Sequence, residues 1–289
     1  MNRLGSLVQR LQQALEVPGL LLPAAGVRVF GAEETVAEEL FRFEPDGVAV
    51  TSCHALRAAM LDDAVFLSAR SVGCVAAAVS LGFEDMNRED PLEGPREYTE
   101  IMRRNSGDPE SFRPPSPREF SDGTVYAFRE AGKKEYALFG EEDSGRYASR
   151  AVALRALSGM LAIQPPATRG VFYFSPGFDD LELDPDVVVL SVRPVELCRL
   201  IQGYQYLTGE RVEASVGGLR AGCSDLVVRP YLTGTINFSP FCLGARLIAR
   251  FEGDRMGLGI PGPLFETLVR GVEASRTGFP FPQYPGAVH

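Results

Sequence analysis

Hydrophobic positions along the chain follow a helical period in some segments and a strand period in others. Near the N terminus, apolar residues recur at helical spacing and predict an amphipathic helix: Leu4, Leu7, Val8, Leu11 and Leu15. Short runs of β-branched and aromatic residues predict strands at residues 26–30, 48–50, 65–68, 186–192, 212–216 and 236–239. Residues 247–251 and 256–260 flank Gly253-Asp254, which predicts a hairpin.

Helix signals stand between these strands. Ser52 is a candidate N-cap for a helix that continues through Met60, and Cys74 begins a second apolar, helical run. Pro194 begins a helix predicted over residues 194–207, with Gly209 as its C-terminal stop. Residues 263–272 predict the last helix. The alternation predicts an α/β protein, with mixed sheets and helices.

The order of elements in the first part of the chain recurs in the second. Each part reads strand, helix, cysteine, strand, cysteine, helix, which predicts two pseudo-repeated halves at residues 1–148 and 149–289. Duplication and coincidence both stay open, because few positions match. Residues 84–121 interrupt the first half with a charged, proline-rich excursion.

Composition narrows the possible functions. The chain has 289 residues, 45% of them hydrophobic, which is enough for one large domain or two smaller ones. Its net charge of −9 disfavours nucleic acid and anionic membranes as partners. The N terminus lacks the order of regions of a signal peptide, and no apolar stretch is long enough to span a bilayer. We therefore expect a cytoplasmic protein, in which cysteines are more often reduced, catalytic or metal-bound than paired.

Histidine is too scarce for several common kinds of site. The chain has two histidines, and one of them is His289 at its C-terminal end. A multi-histidine metal site is therefore disfavoured, and a catalytic triad could use only His54.

Four of the five cysteines stand where a strand or loop passes into a predicted helix: Cys53, Cys74, Cys223 and Cys242. Helix starts present unpaired N–H groups and the positive end of the helix dipole, which favour a thiolate. Three interpretations stay open: cysteines that simply pack well, a cysteinate site for zinc or an iron–sulfur cluster, or one reactive thiolate with structural neighbours. No Cys-x-x-Cys is present, so a metal site requires the fold to bring distant loops together. Cys198 lies within an amphipathic helical pattern and is predicted to be a buried small hydrophobe.

Charged residues near the cysteines could hold an anion. Arg70 precedes Cys74 and Arg220 precedes Cys223, and either arginine could bind an anionic ligand or a thiolate. Asp225 could orient a group near Cys223 or simply favour the first turn of a helix. The Gly-x-Gly-x-x-Gly pattern at residues 257–262 lacks the following strand of a dinucleotide fold, and we interpret it as a strand-to-helix turn.

Several motifs together resemble a known family. They are Thr51-Ser52-Cys53-His54-Ala55-Leu56-Arg57, the segment 74–83, Arg199-Leu200-Ile201-Gln202, Cys223-Ser224-Asp225, Cys242-Leu243-Gly244-Ala245-Arg246 and Gly259-Ile260-Pro261. In order and spacing they are similar to domain of unknown function 169, the ArCR-type proteins, over roughly residues 20–272. The resemblance implies a soluble protein of archaea and bacteria without an established activity. It also implies that the four cysteines belong to the family pattern, whereas Cys198 and residues 91–121 do not.

Two classes of function follow. The first is a cytoplasmic redox or lyase-type enzyme with a cysteine-ligated centre, either iron–sulfur or zinc, in which the four cysteines are ligands. Arg70 and Arg220 would then neutralise the charge of the substrate or of the cluster. The alternative is a non-enzymatic binding protein that holds a small anionic molecule with helix N termini and arginine.

Overall fold

A computed structural model describes residues 2–15, 22–46, 50–83, 159–164, 168–180, 182–218, 221–242, 245–246 and 249–275. Within these residues, six strands form one sheet: β1 (Ala24–Gly31), β2 (Ala64–Leu67), β3 (Thr168–Phe174), β4 (Val187–Val192), β5 (Asn237–Ser239) and β6 (Met256–Pro261). Their order is β2-β3-β1-β4-β6-β5, and every neighbouring pair is antiparallel. The predicted α/β class is confirmed.

Helices cover both faces of the sheet. They are α1 (Arg3–Leu15), α2 (Ser52–Met60), α3 (Val75–Ser80), α4 (Pro194–Thr208), α5 (Arg229–Thr233) and α6 (Gly262–Ala274), with the 3-10 helix Glu38–Phe43 and the π-helix Ala221–Val228. Helices α1, α4 and α6 share one hydrophobic core with Val188 and Leu190 of β4. The cysteine-side core, on the opposite face, joins α2, α3 and the π-helix to Val187 and Val189. None of the helices in the described ranges is long and apolar enough to cross a membrane.

Several predicted elements are confirmed with small shifts. The N-terminal helix is α1. Helix α4 ends at Thr208 and is capped by Gly209, whose φ of 70° is the left-handed conformation that glycine adopts readily. All six residues of β4 are buried, as its continuous apolar run indicates. The N-cap of α2 is Thr51 rather than Ser52, because the Thr51 side chain accepts the hydrogen bond from the His54 N–H.

The glycine pattern at the end of β6 serves packing. A Cβ atom at Gly257 would lie 2.2 Å from Leu226 Cδ1, and one at Gly259 would lie 2.2 Å from the Leu226 carbonyl oxygen. Both glycines therefore let the π-helix approach the sheet closely. Strand β6 ends at Pro261 and α6 begins at Gly262, which confirms the predicted strand-to-helix turn.

Two strand predictions are wrong, and one strand was not predicted. Residues 212–216 are not a strand. The Asn237 side chain takes the place of a strand partner: its oxygen accepts from the Ser215 N–H at 2.9 Å, and its nitrogen donates to the Ser215 carbonyl at 3.1 Å. The predicted hairpin of residues 247–251 with 256–260 is wrong, because β4 and β5 occupy both edges of β6. Strand β3 was not predicted, although it lies between β1 and β2 in the sheet.

The strand order is symmetric about the central β1–β4 pair. On each side, the first strand in sequence is innermost, the second is outermost and the third lies between them. Cys53 and Cys223 both lie between the first and second strands of their side, and Cys74 and Cys242 both lie between the second and third. An internal duplication predicts this order, but order alone does not superpose the halves, and the duplication stays a prediction. If it holds, β3 belongs to the first half, whose end moves to between Phe174 and Val187. The excursion at residues 84–121 lies outside the described residues.

Candidate four-cysteine site

Four separate segments carry the candidate cysteines to one face of the sheet. Cys53 is the second residue of α2, Cys74 directly precedes α3, and Cys223 lies in the π-helix. Cys242 follows β5 and begins a helical turn, in which the Arg246 N–H donates to the Cys242 carbonyl at 3.1 Å. All four side chains belong to or pack against the cysteine-side core.

The four thiols lie close enough to act on one another. A hydrogen bond with the Cys242 thiol is the main reason that the pKa of Cys53 is raised well above its usual value, and burial and the thiols of Cys223 and Cys74 raise it further. Burial raises the pKa of Cys223 strongly, and Cys74 and Cys242 add to the shift. The fold thus places thiols that are far apart in sequence within electrostatic reach of one another.

The cysteines differ in exposure. Cys223 is buried, and Cys53, Cys74 and Cys242 are half-buried. All five cysteines are free thiols in the structure. Cys198 is exposed, so the prediction that it is a buried small hydrophobe is wrong. The next residue of α4, Arg199, is buried instead, and its guanidinium donates to Ser275 Oγ and the Val272 carbonyl, both at 2.8 Å.

Close packing holds the π-helix against α2. A Cβ atom at Gly222 would lie 2.9 Å from Cys53 Sγ, so a side chain there would displace the sulfur. Glycine at this position lets the residue before Cys223 pass directly beside Cys53. The sequence gives no specific signal for this contact, because it depends on how α2 docks against the π-helix.

Backbone and hydroxyl groups surround the sulfurs. The Ala245 N–H donates to Cys242 Sγ at 3.4 Å. The Ser80 side chain and the Ser224 backbone lower the pKa of Cys223, against the larger effect of burial, although Ser80 Oγ completes no hydrogen bond among the described residues. These donors would stabilise sulfur that carries negative charge.

A buried hydroxyl pair borders the site. Ser52 Oγ and Tyr173 Oη are 2.7 Å apart, and both residues are buried. Burial is the main cause that raises the pKa of Tyr173, and the Cys223 and Cys53 thiols raise it further. Tyr173 is not singled out by the sequence, because a tyrosine in an aromatic run is usually part of a core.

The backbone before Cys242 is strained. Phe241 has a φ of 60°, a conformation that is costly for a bulky residue. Its ring stacks on Phe251 with centroids 4.1 Å apart. The Arg246 guanidinium donates to the carbonyls of Pro240, Glu252 and Arg255, which fixes the segment on either side. Strain of this kind often marks a functional site.

The three predicted substrate-binding residues, Arg70, Arg220 and Asp225, do not form one described group. Arg70 forms an ion pair with Glu44, and its side chain is 72% exposed. Arg220 lies outside the described residues. Asp225 is buried in the π-helix, and its carboxylate accepts a hydrogen bond from the Gly217 N–H at 3.0 Å. Burial raises its pKa to about 6, and the Cys242 thiol contributes to the rise. Of the three predicted residues, Asp225 is therefore the one shown to lie near the cysteines.

No ready-made metal site is present in the described ranges, where no three cysteine, histidine, aspartate or glutamate side chains are arranged to hold one metal ion. The four cysteines lie in or against one core on the same face of the sheet. Binding of zinc or of an iron–sulfur cluster stays a prediction.

Fold and site together define an α/β protein with one antiparallel sheet and four clustered thiols on one face. The chain belongs to domain of unknown function 169, described as uncharacterised ArCR, whose sequence profile matches residues 23–271. The resemblance that the motifs indicated is confirmed. The uncharacterized protein MJ0308 of Methanocaldococcus jannaschii is 26% identical over 98 residues, which are 34% of this chain and 42% of the relative. The match therefore spans less than half of that relative's length. No solved structure matches the chain.

Proposed function

We propose that the protein is a cytoplasmic metalloprotein in which four thiolates bind an iron–sulfur cluster or a zinc ion. The four ligands are Cys53, Cys74, Cys223 and Cys242. The observation that carries the proposal is that four separate segments place these cysteines in or against one core, where neighbouring thiols help to raise the pKa of Cys53 and Cys223.

Packing alone is a weaker account of this arrangement. A cysteine that serves as a small hydrophobe gains nothing from the proximity of three other thiols. In the metal-free protein, the neighbouring thiols oppose ionisation at Cys53 and Cys223. A bound cation would reverse this effect, since a coordinated thiol loses its proton and the positive charge offsets the thiolates. Metal binding would thus offset the repulsion between the four thiolates.

The surroundings of the sulfurs suit thiolate ligands. Backbone N–H groups near Cys242 and Cys223 donate towards sulfur. An eight-residue π-helix carries Cys223, and π-helical turns are rare and frequent at functional sites. The strained Phe241 directly precedes Cys242. The π-helix is uncommon and the Phe241 conformation is costly, and together with the N–H donors they support a functional role for the four-cysteine site.

The ligand set favours redox chemistry over lyase chemistry. Four cysteines would saturate either a zinc ion or the four external positions of a cubane cluster. Neither centre would then keep an open position for a substrate. With an iron–sulfur cluster, the expected role is electron transfer. With zinc, the expected role is structural.

The alternative function is a non-enzymatic binding protein for a small anionic molecule. In this alternative, Arg70 and Arg220 would bind the anionic ligand. Arg70 instead forms an ion pair with Glu44, and Arg220 lies outside the described residues. The ion pair with Glu44 engages Arg70, so this contact does not favour the alternative.

The proposal is tested on protein purified without oxygen. We expect either visible absorption from an iron–sulfur cluster, with iron and acid-labile sulfide, or about one zinc per chain. Changing any one of the four cysteines to serine should remove most of the metal. Cys198→Ser is the matched control, because Cys198 is an exposed cysteine outside the site, and it should retain full loading. Wild-type protein that contains neither iron nor zinc, and takes up neither on anaerobic reconstitution, would refute the proposal.

A further inference from the structure

Two cysteines of the site are each followed by an arginine at the same spacing. Arg57 comes four residues after Cys53 in α2, and Arg246 comes four residues after Cys242. The Arg246 N–H donates to the Cys242 carbonyl at 3.1 Å, which is the hydrogen bond of a helical turn. Each arginine therefore lies one helical turn after its cysteine, and residues at this spacing share one face of a helix.

Both arginines contact a single residue, Glu252. The Arg57 guanidinium donates to both carboxylate oxygens of Glu252, at 2.7 and 3.2 Å, across 195 residues of sequence. The Arg246 guanidinium donates to the Glu252 carbonyl at 2.5 Å. Together Arg57, Glu252 and Arg246 form an arginine bridge between the turn that begins near Cys53 and the turn that begins at Cys242.

Two aromatic rings support the arginine bridge. Phe241 and Phe251 are buried and stack with their centroids 4.1 Å apart. The Arg57 guanidinium lies 5.6 Å from the centre of the Phe251 ring, and the Arg246 guanidinium lies 6.0 Å from that of Phe241. A cation is attracted to a ring at such distances. Because Phe241 directly precedes Cys242, these contacts also restrain the backbone at this cysteine.

The arginine bridge is better suited to orienting groups than to adding stability. The Glu252 side chain is 40% exposed, and ion pairs at the surface contribute little to the free energy of unfolding. A bidentate pair of arginine and carboxylate nevertheless fixes the direction of both side chains, since two hydrogen bonds must be kept at once. Metal ligands need such support, because the groups outside the ligand set hold them in place.

We propose that Arg57 and Glu252 are positioning residues, which hold the Cys53 and Cys242 sulfurs at a separation that lets both bind one centre. This inference rests on the proposed four-cysteine centre and adds a contact that joins two of its ligand segments. Neither residue would touch the metal, and both would act through the turns that carry the cysteines. Loss of the arginine bridge should therefore weaken metal binding.

The first test compares zinc binding by Glu252→Gln and Glu273→Gln. Glu273 is the matched control, because it also forms a bidentate pair with an arginine, Arg10, at 2.7 and 2.9 Å and is similarly exposed. That pair joins α1 to α6 on the opposite face of the sheet. Both variants should unfold at a similar urea concentration. Glu252→Gln should bind zinc about tenfold more weakly than wild type, the usual effect of losing support for a ligand, whereas Glu273→Gln should match wild type.

A charge exchange separates the ion pair from general damage to the site. Arg57→Glu places two carboxylates side by side and should weaken zinc binding at least as much as Glu252→Gln. The double variant Arg57→Glu/Glu252→Arg restores an ion pair and should recover most of the zinc affinity. A double variant that binds zinc no better than Arg57→Glu would overturn the positioning role of this pair.

Phenylarsine oxide tests the separation of the sulfurs in metal-free protein. Its arsenic bonds to two thiol sulfurs and releases water, so tight binding requires two sulfurs that lie close together. A chain that keeps only Cys53 and Cys242, with the other three cysteines changed to serine, should bind the reagent tightly. Adding Glu252→Gln should weaken this binding, and adding Glu273→Gln should leave it unchanged.

The outcomes separate the two proposals. If wild type takes up neither zinc nor an iron–sulfur cluster, the four-cysteine centre is refuted, and the binding of phenylarsine oxide decides whether the arginine bridge positions the sulfurs. If wild type loads and Glu252→Gln matches it with both probes, the role of the bridge is refuted and the centre stands. If Glu273→Gln weakens zinc binding as much as Glu252→Gln, the effect is a general one of stability and the role of the bridge is again refuted.

Discussion

Cys53 of α2 and Cys242 after β5 lie close enough that their thiols interact, which raises the pKa of Cys53. The two cysteines lie on opposite sides of the symmetric sheet order, so the site is built from both parts of the chain. Loss of either part would leave at most two of the four thiols. Site formation should therefore depend on folding of the whole sheet.

The raised thiol pKa values predict that metal-free protein loses stability in alkali. Unfolded cysteines ionise near pH 8.5, whereas folded Cys53 and Cys223 stay protonated to higher pH. Above pH 8.5 the folded state therefore binds more protons, and the free energy of unfolding falls by about 1.4 kcal/mol per pH unit for each such thiol. Urea unfolding at pH 7.5 and 9.5 measures this fall.

The control separates these thiols from other alkaline effects. A Cys53→Ser/Cys223→Ser variant should lose most of the pH dependence between these values, whereas Cys198→Ser should keep it. Equal slopes in all three proteins would show that the clustered thiols do not hold their protons.

A change at Gly222 should disturb the site through Cys53. The added Cβ atom of Gly222→Ala would lie 2.9 Å from Cys53 Sγ, so either the sulfur or the π-helix must move. We expect a loss of about 1–3 kcal/mol in the free energy of unfolding, the usual cost of overpacking, together with weaker metal loading. Gly218→Ala is the control, since its Cβ atom would meet nothing within 4 Å. Equal stability and loading in both variants would contradict this close approach.

Docking of the π-helix on β6 can be tested separately. In Gly259→Ala, the Cβ atom would lie 2.2 Å from the Leu226 carbonyl oxygen, and a backbone atom cannot rotate away. The variant should lose roughly 3 kcal/mol or fail to fold, whereas Gly253→Ala, with open space around its Cβ atom, should resemble wild type. Thermal unfolding by circular dichroism distinguishes these results. A Gly259→Ala protein as stable as wild type would mean that the π-helix is not seated on β6.

The sequence predicts elements whose signals lie within the element itself better than features that depend on contacts distant in sequence. Local patterns predict α1, α4 and β4 well, because their apolar periods and caps are contained in the segments themselves. Strand β3 was missed although its run Val171 to Phe174 of β-branched and aromatic residues is itself a local strand signal. Residues 212–216 look like a strand locally, but the Asn237 side chain takes the place of a strand partner.

The candidate site shows the same limit. Helix-start positions identified the four cysteines, and the fold brings them together. Tyr173 and Gly222 could not be selected from the sequence, because a buried hydroxyl or a glycine has meaning only beside its three-dimensional neighbour. Arg70 was chosen for its nearness to Cys74 in sequence, yet its guanidinium is directed to Glu44.

The Ser52–Tyr173 hydrogen bond should contribute measurably to stability. Tyr173→Phe leaves the Ser52 hydroxyl buried without its partner, and Ser52→Ala does the same to the Tyr173 hydroxyl. Each change should cost about 1–3 kcal/mol, and the double variant should cost less than the sum of the two. Urea unfolding of the four proteins closes the cycle. Strict additivity would show that the two hydroxyls do not interact in solution.

X-ray absorption at the metal edge, on anaerobically loaded protein, tests the central claim most directly. The four-cysteine centre predicts sulfur neighbours at about 2.3 Å around zinc or iron, with a first shell that contains no nitrogen or oxygen. For zinc the shell should contain four sulfurs, and the fraction of Cys242→Ser that still retains zinc should show three sulfurs and one oxygen. A first shell of nitrogen and oxygen in the wild-type protein, or an unchanged shell in Cys242→Ser, would contradict the claim that these thiols are the ligands.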